Sequence, residues 1–305
     1  MYRIGIDLGG TNTVAGLVDE NGRIVDRESV KTNLPTDLGR IVRDIDFLCR
    51  TLMERHSLEN DEICIVGVGV PCTANCQTGW MEDADHLGFS GGPLVEELEK
   101  ALCLPVAIGN DADCAAWGEY QTGRYASDSF VMVTLGTGIG GGIILGGKLI
   151  TGINNAAGEI GHMTIAMGGE PCGCGLSGCF ESYGSASALI RHAREATGED
   201  ITEAKEVFDR AASGEQPFVR LLDEYTTHLA VGLTNLINIF GPAYICLGGG
   251  VSRAGDALLV PVREKTYDRM FAKAAARKPQ IILAKLDNDA GVLGAALLGS
   301  GRKNI

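Results

Sequence analysis

The chain reads as an α/β protein of two similar domains, on three observations. Strand-like apolar runs alternate with helix-periodic segments along all 305 residues. A strand, Gly/Thr turn, strand, tight turn, strand pattern occurs twice, with its first turn at Gly9 and its second at Gly136, roughly 127 residues on. Glycine numbers 43, about twice its usual ~7% share. Hydrophobic runs separate these glycines, so they mark turns and close backbone approaches rather than disorder.

The elements follow in order. Residues 2–8 form a β-prone run that ends in Asp7-Leu8-Gly9-Gly10-Thr11-Asn12-Thr13. A second strand covers 14–18, Asn21-Gly22 signals a hairpin, and a third strand covers 23–29. Leu38, Ile41, Val42, Ile45, Leu48 and Leu52 mark one helix face, with Thr36 as its expected N-cap. Residues 63–70 read as a buried strand that stops at Pro71, and Pro93 opens a helix to about Leu102. A short strand at 106–108 leads through Asn110-Asp111 into a helix over 112–122.

The pattern then repeats. A β-branched run at 130–135 meets Gly136-Thr137-Gly138-Ile139-Gly140, an apolar strand covers 141–145, and Gly146-Gly147 turns into 148–150. Helices are expected over 181–196, 203–212, 219–239 and 256–275, and strands at 244–247 and 281–284. Asn288-Asp289 is expected to cap a last helix over 290–298. The expected division is a smaller domain of 1–112 plus 289–305 and a larger one of 113–288.

A net charge of −13 and a pI near 4.8 argue against nucleic-acid and anionic-membrane partners. No run reaches the ~18 apolar residues of a membrane span, and the opening Met1-Tyr2-Arg3-Ile4-Gly5-Ile6-Asp7 has no signal-peptide pattern. Outside one cluster, the ten cysteines fall mostly in apolar segments, where the residue acts as a small hydrophobe. The expectation is a cytoplasmic protein with reduced thiols.

Two phosphate-loop patterns fail on context. Gly136-x-Gly138-x-x-Gly141 matches a dinucleotide fingerprint, but a strand follows where a helix is required. Gly142-x4-Gly147-Lys148 approaches a Walker A loop, but Leu149 replaces the magnesium-binding Ser/Thr. The alternative is a pair of glycine hairpins whose N–H groups and threonines close on a polyphosphate, with Asp7 holding hydrated Mg²⁺ beside it. Asn110-Asp111 lies at a strand-to-helix junction, where a carboxylate can take a proton from a substrate hydroxyl. The same pair also fits a plain N-cap.

His162, Cys172, Cys174 and Cys179 stand in H-x9-C-x-C-x4-C spacing, a donor set suited to tetrahedral Zn²⁺. Glu159 and Glu181 flank the cluster and are not needed by a closed Cys₃His site.

Together, Asp7-Leu8-Gly9-Gly10-Thr11, Asn110-Asp111, Leu135-Gly136-Thr137-Gly138-Ile139-Gly140-Gly141-Gly142, Glu159-Ile160-Gly161-His162, Cys172-Gly173-Cys174-Gly175-Leu176-Ser177-Gly178-Cys179-Phe180-Glu181 and Leu247-Gly248-Gly249-Gly250-Val251 resemble the ROK family of sugar kinases and repressors. The resemblance covers nearly the whole chain. It implies two actin-like, ribonuclease H-like α/β domains around a central cleft, and a structural zinc loop.

The family likeness also implies roles. Asp111 is the expected base, and Asn110, Glu159, His162, Glu181 and His86 are expected at the sugar. Asp7, Gly9, Gly10, Thr11, Asn12, Thr137, Gly138 and Gly140 are expected at ATP and Mg²⁺, and Gly249 at the adenosine. His162, Cys172, Cys174 and Cys179 would hold structural Zn²⁺, and a homodimer is implied.

The implied activity is ATP-dependent phosphorylation of a hexose, at its 6-OH, with glucose as leading substrate. Many family glucokinases carry Pro-Gly and Ala-Pro-Asn-Leu where this chain has Pro71-Cys72 and Ala84-Asp85-His86-Leu87. Allose, fructose, mannose and N-acetylmannosamine therefore stay open as substrates. A ROK-type regulator would carry a helix-turn-helix before the first hairpin, whereas here the first strand begins at Tyr2. A sugar sensor without catalysis is disfavoured by Asp7, Asp111 and both hairpins.

Overall fold

The first glycine turn joins β1 (Tyr2–Leu8) to β2 (Asn12–Val18), and β3 (Ile24–Lys31) follows the Asn21-Gly22 hairpin. The computed structural model describes residues 1–84, 87–153, 155–274 and 277–298. After β3 come α1 (Leu38–Arg55), β4 (Ile63–Val70), β5 (Thr73–Asn75), β6 (Trp80–Glu82), β7 (Gly91–Gly92), α2 (Leu94–Leu102), β8 (Val106–Asn110) and α3 (Asp111–Gly123). The second half holds β9 (Phe130–Leu135), β10 (Ile139–Leu145), β11 (Lys148–Leu149), α4 (Glu181–Gly184), α5 (Ala186–Thr197), α6 (Ala204–Ala212), α7 (Gln216–Phe240), β12 (Tyr244–Gly248), α8 (Asp256–Arg269), β13 (Gln280–Leu283) and α9 (Asp289–Leu297).

The internal repeat is visible in the sheets. One has the order β3-β2-β1-β4-β8 and the other β11-β10-β9-β12-β13. In the first, β2 pairs antiparallel and β4 parallel with β1; in the second, β10 and β12 take those places beside β9. Two compact units contain these sheets. Unit 1 comprises Met1–Tyr125, Leu149–Ala157 and the chain from Asn288; unit 2 comprises Ala126–Lys148 and Gly158–Asp287. Helix α3 packs against α9 within unit 1, so the boundary expected after residue 112 falls inside a helix.

In unit 1, Ile4, Ile6, Val66 and Val68 of the sheet and Ile41, Ile45, Leu48 and Leu52 of α1 belong to one buried cluster. Strand β4 is flanked by strands on both sides and is buried over most of its length, as its apolar run ICIVGVGV requires. Helix α9 packs on β1 and β4 at very short range. A Cβ on Gly5 would come 1.9 Å from the Val292 carbonyl oxygen, so only glycine fits beneath this helix. In unit 2, Phe130, Val131 and Val133 of β9, Ile245 and Leu247 of β12, and Leu229 and Leu233 of α7 are buried.

Several boundaries differ from expectation for local reasons. Asp37, not Thr36, caps α1: its carboxylate accepts from Arg40 N–H at 2.9 Å, while Thr36 N–H bonds to Leu87 O. The helix expected over 181–196 is broken at Ser185, whose hydroxyl accepts from Ala188 N–H and caps α5. Helix α8 ends at Arg269, earlier than expected, and residues 275 and 276 lie outside the described set. The small β5-β6-β7 sheet was not expected, since strands of two or three residues show no periodicity. None of the ten cysteines forms a disulfide. Among the described residues, no helix is long and apolar enough to cross a membrane.

Candidate active site and metal centre

Parallel pairing brings the first group of residues to one end of the unit 1 sheet. Asp7 on β1 is in register with Gly69 on β4, and Val70 is in register with Asn110 on β8. Asp7, Asn110 and Asp111 therefore lie at the carboxyl ends of parallel strands, where α/β sheets bind ligands.

Asn110 occupies the N-cap of α3. Its Oδ1 accepts from Ala112 N–H at 2.9 Å and Asp113 N–H at 3.2 Å, and its Nδ2 donates to Cys72 O at 3.3 Å. Asp111 Oδ1 accepts from Ala112 N–H at 2.7 Å, which fixes its carboxylate at the start of α3. Burial raises the Asp7 pKa to about 6, and the negative charge of Asp111 adds to the shift. Burial likewise pushes the Cys72 thiol up to about 12, again with Asp111 as the next cause. This thiol is a packing group, not a nucleophile. The adjoining turn is closed by Gly9 N–H to Asn12 O at 3.0 Å, and leaves Gly10, Thr11 and Asn12 exposed.

The second turn, in unit 2, has its own set of bonds. Gly136 N–H donates to Gly138 O at 3.0 Å, Gly140 N–H to Thr134 Oγ1 at 3.1 Å, and Ala186 N–H to Gly136 O at 2.8 Å. Glu181 Oε2 accepts from Ile139 N–H at 2.8 Å. Thr137 is exposed at the tip. Gly249, at φ 80°, sits so close to β9 that a Cβ there would come 2.5 Å from Leu135 O.

Glu159 precedes a 3₁₀ turn at Ile160–His162 and is exposed. Gly161 lets that turn lie on β10, since a Cβ would come 2.1 Å from Ile139 O. His162 then points Nδ1 at Cys172 Sγ, 3.6 Å away, and Cys174 Sγ lies 3.7 Å from Cys179 Sγ. The four ligand atoms of His162, Cys172, Cys174 and Cys179 all lie within 4.8 Å of one another. Zn–S bonds of ~2.3 Å in a tetrahedron put sulfurs ~3.8 Å apart, whereas a disulfide needs ~2.05 Å. The donor set and spacing fit a closed zinc site.

The loop is pinned by Cys172 N–H to Leu176 O at 2.8 Å and Gly178 N–H to Glu170 O at 2.7 Å. At Gly178, φ is 81° and a Cβ would come 1.7 Å from Ala166 O, so a side chain has neither the conformation nor the room.

The structure thus assembles Asp7, Gly9, Gly10, Thr11, Asn12, Asn110 and Asp111 within unit 1. It places Thr137, Gly138, Gly140, Glu159, His162, Glu181, Gly249 and the three cysteines within unit 2. His86 lies outside the described residues. Two contributors escaped sequence reasoning. Gly291, in the first turn of α9, lies against Asp7, whose Oδ2 is 2.9 Å from where its Cβ would be. Ala186 anchors the second turn through its N–H; only the glycine just after the Asn288-Asp289 cap offered an advance signal, and that for Gly291 alone.

A duplicated five-strand plan, a glycine turn in each unit and a Cys/His centre beside one turn define an α/β protein of the sugar-kinase type. The chain belongs to the ROK family, whose profile matches residues 3–302. It is 35% identical to a glucokinase of Halalkalibacterium halodurans, over 99% of this chain and 96% of the relative. It is 32% identical to an N-acetylmannosamine kinase of Shigella boydii, over 99% of this chain and all of the relative. The crystal structure of a ROK family glucokinase from Streptomyces griseus in complex with glucose and AMPPNP superposes with a TM-score of 0.83 at 35% identity, covering 98% of this chain and 99% of that one.

Proposed function

We infer that this ROK-family chain is an ATP-dependent hexose kinase, with the sugar 6-OH as acceptor and glucose as leading substrate. The observation that carries the reading is the placement of two carboxylates, Asp7 and Asp111, at the carboxyl ends of the unit 1 strands, where the charge of Asp111 acts on Asp7. Relatives named for glucose and for N-acetylmannosamine support the hexose class.

Asp111 takes the proton from the attacking hydroxyl, with its rotamer held by the Ala112 N–H. Asn110 keeps that helix start in place and ties it to Cys72 O. Asp7 is a partly buried carboxylate with a second negative charge nearby, an environment that fits a divalent cation. Mg²⁺ held there would supply positive charge to offset that of the phosphates. The turns at Gly9–Asn12 and at 136–140 present N–H groups and threonines to ATP, and Gly249 contributes to the adenosine site.

Glu159, His162, Glu181 and His86 contact the sugar. His162, Cys172, Cys174 and Cys179 would hold Zn²⁺, and four protein ligands would give it a structural role. His162 Nδ1 faces the cysteines, which leaves Nε2 to serve the sugar. The net charge of −13 supports a small-molecule rather than a nucleic-acid partner. The unbridged cysteines support a cytoplasmic location. Family membership supports a homodimer, which sedimentation velocity tests.

The decisive experiment is an ADP-coupled assay over glucose, allose, fructose, mannose and N-acetylmannosamine, compared by kcat/KM. Glucose should rank first. Sugar binding without ADP release from any of them would overturn the kinase reading in favour of a sensor.

A further inference from the structure

Glu181 belongs by position to the sugar contacts, but its observed bond points elsewhere. Its Oε2 accepts from the backbone of Ile139, in the turn proposed to hold phosphate. A Cβ added at Gly138 would stand 2.2 Å from that same oxygen and 3.1 Å from the carboxyl carbon. The carboxylate therefore fills the space that any side chain at residue 138 would take. The other bonds holding this turn, from Gly136, Gly140 and Ala186, join neutral groups, and Glu181 alone among these partners is an acid. A carboxylate beside a polyphosphate turn repels the ligand, so its presence there calls for an offsetting positional role. It starts α4, two residues after Cys179, and Phe180 between them is fully buried. The acid is thus mounted on a fixed support.

We propose that Glu181 is a positioning residue for the nucleotide phosphates, fixing the 136–140 turn through Ile139 while its second oxygen serves the sugar. The proposal rests on the reading of this turn as a phosphate clamp. One oxygen, Oε2, orients the turn; the other, Oε1, accepts from a sugar hydroxyl. Because one carboxylate would carry both bonds, whatever effect the sugar has on the nucleotide site is matched by an equal effect of the nucleotide on the sugar site.

The test uses the metal-loaded enzyme and two variants, Glu181→Gln and Glu181→Ala, with MgADP affinity measured by calorimetry and the glucose KM measured separately. Glutamine keeps an acceptor for the Ile139 N–H, so Glu181→Gln should bind MgADP within about two-fold of wild type, whereas Glu181→Ala should bind about ten-fold more weakly. Both variants should raise the glucose KM. Unchanged MgADP affinity in Glu181→Ala would overturn the positioning role.

Weakened MgADP binding in Glu181→Ala alone, with an unchanged glucose KM in both variants, would support the positioning role and remove the sugar contact. A wild-type protein that bound no MgADP would overturn the kinase reading and this proposal with it. Gly138→Ala guards against a folding artefact. Its added methyl should weaken MgADP binding in the wild-type background and do little more in Glu181→Ala, where the clash is relieved; strictly additive effects would overturn the proposal.

Discussion

Gly67 on β4 and Ala295 on α9 touch backbone to backbone: a methyl on Gly67 would stand 1.8 Å from the Ala295 carbonyl oxygen. This contact sets the distance between the unit 1 sheet and its last helix. The sheet cannot yield locally, because Gly67 is in register with both Gly5 and Ala107. Gly67→Ala should therefore cost about 2–4 kcal/mol of stability, as overpacking at a rigid site does. Urea denaturation checks this, and a loss below about 0.5 kcal/mol would show that α9 can lift away.

Asp7 predicts a pH dependence of known sign. Its folded pKa is about 6 against an ordinary 3.8, so between these values the folded protein holds a proton that the unfolded chain has lost. Its contribution to stability is full below about pH 4, declines as pH rises, and is gone above about pH 6. In the metal-free protein, Asp7→Asn should gain on wild type by up to roughly 3 kcal/mol between pH 4 and pH 7. Added Mg²⁺ should narrow that difference. Parallel stability curves for the two proteins would refute the assignment.

Asp111→Asn should keep the α3 start, because Asn110 provides the cap through Ala112 and Asp113 N–H. Turnover should fall about 10²–10⁴-fold, the usual share of a general base. The sugar KM and the melting temperature should change little. Turnover near wild type would move the base elsewhere.

Cys179 is fully buried and lies two residues before Glu181. Cys179→Ser should abolish stoichiometric zinc, measured by elemental analysis. It should also lower the melting temperature by roughly 5 °C or more, the equivalent of about 2 kcal/mol. The sugar KM should rise with it. A zinc-free protein with an unchanged sugar KM would separate the metal from the site.

Much of this was legible along the chain. Six apolar residues on one face announced α1, and the repeated glycine turns announced two sheets that share one strand order. The Cys/His spacing announced four ligand atoms that the fold does bring together. What stayed hidden depends on tertiary contact or on fine local competition. Thr36 and Asp37 are both good caps by type, and the cap falls on Asp37, whose carboxylate accepts from Arg40 N–H. The break at Ser185 follows from Ala186 N–H bonding to Gly136, in a turn about fifty residues upstream. The bond from Ile139 to Glu181 likewise joins residues 42 apart, so no local pattern could carry it.

The placement of α9 has a consequence for biosynthesis. Unit 1 begins with β1, but the helix that covers β1 and β4 is synthesised after every strand and helix of unit 2. Unit 2, whose strands and helices all lie upstream of Asn288, can complete its core while the Gly5 and Gly67 face is still bare. The unit whose first strand is synthesised earlier is thus completed later, and its sheet face at Gly5 and Gly67 stays uncovered until α9 follows unit 2.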